Sequence, residues 1–454
     1  MKQFFTCSLM ALALGFSAQA YAEDVKLFSF TADKEAEGKA LTFSISAIDG
    51  GTIFVDWGTG DKEEYNIDDY DGAGWVFSEV KGTLGSGAVV VYAAEGVKIN
   101  YVDLDWTKDD DELAKITSVQ ILSLTDVKEF SVSNNHLQTL DVSSCSSLAT
   151  LNAYDNQLST LTLGEANSVL ASVNVSNSYN VTTGEANENA GSNNVALSAW
   201  NLLPALKTLN ITGNPIAAGE SIDLSKNVNL GTLTINCCGV EALDLTALTS
   251  LKTLNAQWNN LKTIDLSNMI AKSGTVSLNH NYLSEVKMPD TTTDKFTRIN
   301  LPYNNLTFNT LPAVGLTAKD NNYVYAPQAE VAPEVKNNVV DLSSLAMVGD
   351  SATVFVWTRG ENPVADTDYS VENGVFTFNA TGDYFCSMTN EAFPALTLTT
   401  NMITISDVTS GVAAIEESAA TVEYFNLQGV KVSGNEPGIY VRRQGNKVSK
   451  VIVK

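Results

Sequence analysis

Leu148-Ala149-Thr150-Leu151-Asn152-Ala153-Tyr154-Asp155-Asn156-Gln157-Leu158 sets the terms for the chain on either side of it. Reduced to its recurring positions it reads L-x-x-L-x-A-x-x-N-x-L, and the frame returns at Leu206, Leu209, Ile211, Asn214 and Ile216. An Asn, Cys or Ser stands in the polar slot at Asn135, Asn156, Ser178, Asn214, Cys238, Asn259, Asn281 and Asn304, with successive steps of 21, 22, 36, 24, 21, 22 and 23 residues. A period near 21–24 residues marks a solenoid in which each coil lays a short strand beside the last and turns its apolar positions into one continuous core. The slot lies where the chain leaves the strand, and a stacked Asn there can pair with backbone groups that the turn would orphan. The long step from 178 to 214 holds Thr182–Asn194, rich in Gly, Asn and Glu, which reads as a surface loop inserted into one repeat.

The pattern L-x-x-L-x-L-x-x-N/C-x-L is that of a leucine-rich-repeat solenoid, placed here over residues 97–325. Residues 23–96 lack it and show strand alternation instead, at Leu41–Ile45, Thr52–Asp56 and Val89–Tyr92, split by Gly-rich turns. This stretch is expected to be a β-sandwich that caps the solenoid's apolar edge. Beyond Pro327 the period changes again: Thr353–Trp357, Val375–Phe378 and Met402–Ile405 alternate, with Asn373-Gly374 as a hairpin turn, and residues 333–407 read as an immunoglobulin-like sandwich. Residues 408–421 form a linker, and 422–454 reverse the charge with Lys431, Arg442, Arg443, Lys447, Lys450 and Lys454. The fold class is therefore mainly β: a solenoid between an N-terminal sandwich cap and a C-terminal sandwich.

Residues 1–22 have the form of an export signal: Lys2, an apolar run from Phe4 to Phe16, then small residues at Ala18, Ala20 and Ala22. No later stretch approaches the ~20 consecutive apolar residues of a membrane span. The net charge of −25 argues against nucleic acid, whose affinity rests on cationic neutralisation of phosphates, and against anionic membranes. Cys145, Cys237, Cys238 and Cys386 are too few and scattered for a disulfide framework and read as free thiols, with Cys145 and Cys238 in repeat slots. No H-E-x-x-H, G-x-S-x-G, C-x-x-C or phosphate-loop motif occurs, and the two histidines, His136 and His280, lie on different repeats. No enzyme, cofactor or metal is expected.

Two further signals point to a known group. Leu140-Asp141-Val142-Ser143 and Ile264-Asp265-Leu266-Ser267, alternating with Asn-bearing half-repeats, resemble the surface leucine-rich-repeat proteins of Bacteroidetes. Tyr323–Gln328 is similar to the strand that closes such solenoids, and Tyr424–Gly429 through Gly438–Val441 resembles the C-terminal sorting tails of the type IX secretion route. The resemblance implies delivery to the outer cell surface or beyond, and it includes adhesins that bind host matrix or other bacteria.

Three outward rows are candidate sites. Ser131, Asn152, Asn174, Asn210, Thr234, Asn255, Ser277 and Asn300 form a ladder of small amides and hydroxyls. The position before the slot reads Asn134, Asp155, Asn177, Gly213, Cys237, Trp258, His280 and Tyr303, so three successive repeats set aromatic rings side by side. Such rings are enriched at interfaces, although they could equally cover a loop, the insertion or the C-terminal module. Asp223, Asp244 and Asp265 recur every 21 residues, and each is expected to accept hydrogen bonds from backbone amides of the next coil or to share calcium with a neighbour. The reading is a binding scaffold for a protein or glycoprotein, host-derived or not. Trp258, His280 and Tyr303 would be its anchors, with Asn255 and Asn300 beside them. The rivals are a sugar platform on the rings and a structural role in the envelope.

Overall fold

A computed structural model describes residues 24–69, 77–105, 114–180, 182–188, 190–195, 197, 199–270, 273–289, 296–313, 322–408, 421–434, 436–444 and 447–453. The expected export signal and most of the linker lie outside these residues. The chain divides into two compact units, Met1–Ala329 with Phe393–Leu398, and Glu330–Ala392 with Thr399–Lys454.

The first unit opens with a sandwich. One layer orders its antiparallel strands as Lys62–Ile67, Gly51–Asp56, Val89–Ala93, Val25–Ala32 and Ile116–Ile121. The strand Ile116–Ile121 pairs with Val25–Ala32 across Phe28↔Ile121, so the cap draws in a segment that the sequence had placed among the first coils. Phe28, Phe30, Phe43 and Trp57 pack edge-on or tilted between the layers. At Asp56-Trp57-Gly58-Thr59-Gly60 one carboxylate oxygen of Asp56 accepts the N–H groups of Gly58, Thr59 and Gly60, which fixes the hairpin.

The second layer of the cap continues into the solenoid. Lys98–Asp103 pairs antiparallel with Ala40–Ile48 on one side and parallel with Glu129–Ser131 on the other. A 12-stranded sheet then runs through Thr150–Asn152, Ser172–Asn174, Thr208–Asn210, Thr232–Thr234, Thr253–Asn255, Gly274–Ser277, Phe296–Asn300 and Tyr323–Val324. The central residues Phe130, Leu151, Val173, Leu209, Leu233, Leu254, Val276 and Ile299 are each 0% exposed and lie in register. A slip of one residue would turn that whole row to solvent, so burial alone fixes the register.

The slot residues act as expected, in atomic detail. Asn156 Nδ2 donates to the carbonyls of Val132, Ala153 and Tyr154, and its Oδ1 accepts Leu137 N–H. Asn135, Asn214, Asn281 and Asn304 repeat this arrangement. Cys238 keeps the donor half with Sγ directed at the Ile211 and Asn236 carbonyls, 3.2 Å each. Gln328 adds a rung beyond Asn304, donating to Leu301 and Tyr325 carbonyls and accepting Leu306 N–H.

Two slot assignments change. Ser178 does not occupy the third slot; Asn193 does, 1% exposed, donating to Ala153 and Val175 carbonyls and accepting Leu158 N–H. The insertion therefore enters ahead of the slot, between the turn and its Asn, and residue 193 belongs to the coil. Cys145 stands in the other half of its coil, where Asn167 donates to the Val142 and Cys145 carbonyls.

In the second unit one sheet orders Val335–Lys336, Val339–Asp341, Val375–Phe378 and Tyr369–Glu372, and another is built on Val354–Arg359, Gly382–Thr389 and Ile403–Ile405. Trp357 sits against Phe376 and Phe378 in its core. Glu423–Phe425, Lys431–Val432, Gly438–Gln444 and Lys447–Val453 form a separate four-stranded antiparallel sheet.

The slot correction carries a test. Asn193→Ala would strand several buried backbone groups at about 1–3 kcal/mol each. Its loss of stability by chemical denaturation should match that of Asn156→Ala, and Ser178→Ala should cost less than half as much. Equal costs for Ser178→Ala and Asn193→Ala would return the slot to residue 178.

Candidate functional site

The position before each slot has a backbone requirement that the sequence reading did not anticipate. Asn134, Asp155, Cys237, Trp258, His280 and Tyr303 have φ between 50° and 57°, and Gly213 has φ 73°. This left-handed residue turns the chain so that the next side chain enters the core. Its N–H bonds to the following coil, as in Trp258 N to Asn279 O and His280 N to Pro302 O. Asn177 alone departs from the row, where the insertion leaves its coil. Gly, Asn, Asp and His tolerate this conformation, whereas other side chains incur roughly 1–2 kcal/mol. The Gly/Asn/Asp members of the row were the visible signal.

Trp258, His280 and Tyr303 do stand together. The Trp258 and His280 rings stack with centroids 3.6 Å apart and planes 12° apart, and His280 and Tyr303 follow at 4.2 Å and 19°. Trp258 and His280 are half-buried, while Tyr303 is 52% exposed. Two aromatic pairs contribute about 0.5–1.5 kcal/mol each. That gain is about what Trp258 and Tyr303 lose in backbone strain, so stability alone does not select rings here.

The inserted hairpin, Tyr179–Asn180 paired with Glu185–Ala186, lies along the same row. The Asp155 carboxylate clasps both of its legs, accepting Ser178 N–H, Ser178 Oγ–H and Gly191 N–H. Gly213 leaves room for the Tyr179 ring, since a Cβ there would meet Tyr179 Cε2 at 2.4 Å. At the tip, a Cβ on Gly184 would meet Trp258 Cδ2 at 2.5 Å. The hairpin backbone thus rests on the indole, and Trp258 is an anchor for the insertion as well as the inner end of the stack. Docking of the insertion, one of the alternatives open in the sequence, holds for this ring.

The polar row is partly committed to the protein. Asn174 Oδ1 accepts Ser176 Oγ–H at 2.7 Å and Asn210 Oδ1 accepts Thr212 N–H at 3.1 Å. Asn255 Nδ2 reaches Thr234 Oγ1 at 3.4 Å, and Asn300 Nδ2 donates to Asn279 Oδ1 at 2.8 Å. Asn279, which the sequence reading passed over, donates in turn to His280 Nδ1 at 2.9 Å. Register with Ser131 places Asp103 at the head of the row. Burial pushes the neighbouring Asp105 carboxyl up to about 6, with the Asp103 charge adding to the effect.

Burial lowers the His280 pKa below its ordinary 6.5. An unfolded imidazole binds its proton near pH 6.5, the folded ring only below that. The ring's contribution to stability is therefore complete above pH 6.5 and is lost on acidification below it.

The aspartate row behaves differently from expectation. Asp141, Asp223, Asp244 and Asp265 each accept the backbone N–H two positions on, of Ser143, Ser225, Thr246 and Ser267, within their own coil; from the next coil Asp265 accepts the Lys287 ammonium, and among the described residues no backbone amide of a next coil reaches the row. These local turns hold the Asp223 and Asp244 carboxyls below their usual range, and Lys287 at 2.7 Å together with Ser267 brings Asp265 to about 2. Among the described residues no three His, Cys, Asp or Glu side chains gather as a metal site.

No protein-family model matches the chain, and no curated protein does. Among solved structures it is similar to the functional domain of InlJ from Listeria monocytogenes, which includes a cysteine ladder. The match has 15% identity and a TM-score of 0.33, over 64% of this chain and 79% of that one. Among the described residues no helix is long and apolar enough to cross a membrane.

Gly184→Ala should lift the hairpin from the indole, since both the backbone at φ 74° and the 2.5 Å approach oppose a methyl group. Indole fluorescence should change in this variant and not in a Trp258→Phe background. An unchanged spectrum in the parent background would remove the hairpin from Trp258.

Proposed function

We propose that the protein is an exported, cell-surface or secreted binding protein without enzymatic activity. It recognises a protein or glycoprotein through the turn edge and outer face of the solenoid's long sheet. The observation that carries this reading is the ring column of Trp258, His280 and Tyr303. It is set on three consecutive coils in a backbone conformation that disfavours two of its members, and it ends in a half-exposed tyrosine. Strained aromatic residues that bring no net stability fit an anchor for a partner.

The column also bears on the chemistry of that partner. A sugar platform needs an open ring face, and here the inner faces are taken up by one another. The ring edges carry polar tips beside Asn255 and Asn300, which suits the carbonyls and side chains of a polypeptide. The reading of export rests on the form of residues 1–22 and on the likeness of 422–454 to sorting tails.

Asn is the natural occupant of the left-handed position elsewhere in this solenoid, as at Asn134. A His280→Asn/Tyr303→Asn variant should therefore keep its thermal midpoint within a few degrees of the parent. Run side by side over mucosal and bacterial-envelope extracts, the parent should retain a polypeptide partner that the variant loses. Equal retention by both would place binding elsewhere on the molecule.

A further inference from the structure

The hydrogen bonds around His280 run in one direction only. Asn300 Nδ2 donates to Asn279 Oδ1 at 2.8 Å, and Asn279 Nδ2 donates to His280 Nδ1 at 2.9 Å. An amide nitrogen cannot accept, so the second bond requires a lone pair on Nδ1, and the proton of the neutral ring must sit on Nε2. Both faces of the ring are covered, by Trp258 and Tyr303. Among the described residues Nε2–H has no partner, which leaves a fixed donor on a half-buried ring at the edge of the proposed face.

Resting on the binding role proposed above, we propose that Asn279 is a positioning residue that commits His280 to the Nε2–H form, and that this N–H takes a neutral carbonyl oxygen of the partner polypeptide. The net charge of −25 disfavours a carboxylate as that acceptor. Asn300 serves at one remove, by holding the Asn279 amide in the orientation that presents Nδ2 to the imidazole. Asn300 ends the strand Phe296–Asn300 in register with Ser277 of the adjacent parallel strand, and Asn279 lies two residues beyond Ser277, within reach of the Asn300 amide.

The relay also makes the face sensitive to acid. A proton added at Nδ1 would meet the Asn279 N–H group, and the amide would have to turn over. Its Oδ1 would then leave Asn300, and two adjacent coils would change their hydrogen-bonding pattern together. Trp258, Tyr303 and Asn279 are the side chains described against the ring, and the Tyr303 phenol is the one titratable group among them. Glu185 follows Gly184 on the hairpin that touches Trp258 and is exposed.

The chain has two histidines, so imidazole nitrogen NMR on the full-length protein yields two ring systems, assigned by the loss of one in His280→Asn. The parent should show the neutral ring of His280 protonated at Nε2. Asn279→Asp keeps an acceptor for Asn300 and offers a carboxylate to Nδ1. It should move the proton to Nδ1 and raise the titration midpoint by about one pH unit or more. With a merely structural Asn279 the proton would stay where it is in the parent, since a nearby charge by itself shifts the midpoint and not the choice of ring nitrogen. A parent ring protonated at Nδ1, or an unchanged ring form in Asn279→Asp, overturns the relay.

The donor role is read separately, by retention of the partner on immobilised protein. His280→Gln, with an amide N–H near the Nε2 position, should retain most of it, and His280→Asn should lose about tenfold or more. Equal loss in both variants overturns the donor role. Because the NMR result needs no partner, a correct ring form alongside no binding at all would fell the proposed function and leave the relay standing.

Discussion

The coils of this solenoid depend on a buried side chain at the turn, an amide in every described slot but that of Cys238. The chain must leave the strand, reverse and re-enter the core within a few residues, which frees carbonyls and N–H groups where water cannot reach them. Asn156 and its equivalents donate to two or three such carbonyls and, through Oδ1, accept an N–H of the preceding coil. Leaving any of these unmade would cost more than a typical net hydrogen bond contributes, so the slot tolerates few residues. Cys238 shows one limit of that tolerance and Gln328 another.

The same turn creates the edge proposed for binding. To aim the slot side chain inward, the residue before it must adopt a left-handed backbone, and its own side chain is then thrown to the outside. Those outward residues stack along the solenoid at the spacing of its strands. A demand made by the core thus supplies a row of addressable surface positions. The protein has filled it with an aspartate that clasps the insertion, a glycine that admits Tyr179, and three rings.

Much of this was legible in order of residues, and the failures are instructive. The repeat period, the inward apolar positions and the β-rich flanks follow from local alternation, which burial enforces one coil at a time. The third slot was misread because Ser178 falls at a plausible distance, while Asn193 hides in a stretch whose composition is that of a loop. The aspartate row was assigned to the next coil although D-x-S/T is a turn motif closing on itself within two residues. Trp258, His280 and Tyr303 were found by spacing, but spacing could not distinguish rings lying side by side on a platform from rings stacked face to face.

By itself the sequence determined that the chain coils, which way each apolar residue points and which positions come out in rows, because these depend only on period and on the cost of exposing apolar or unpaired polar groups. Tertiary structure alone decided where the insertion lands, that its Gly184 seats on Trp258, and that Asn300, Asn279 and His280 join in one hydrogen-bonded chain. Those outcomes rest on contacts between residues of different coils, whose distances and hydrogen-bond directions no repeat period encodes.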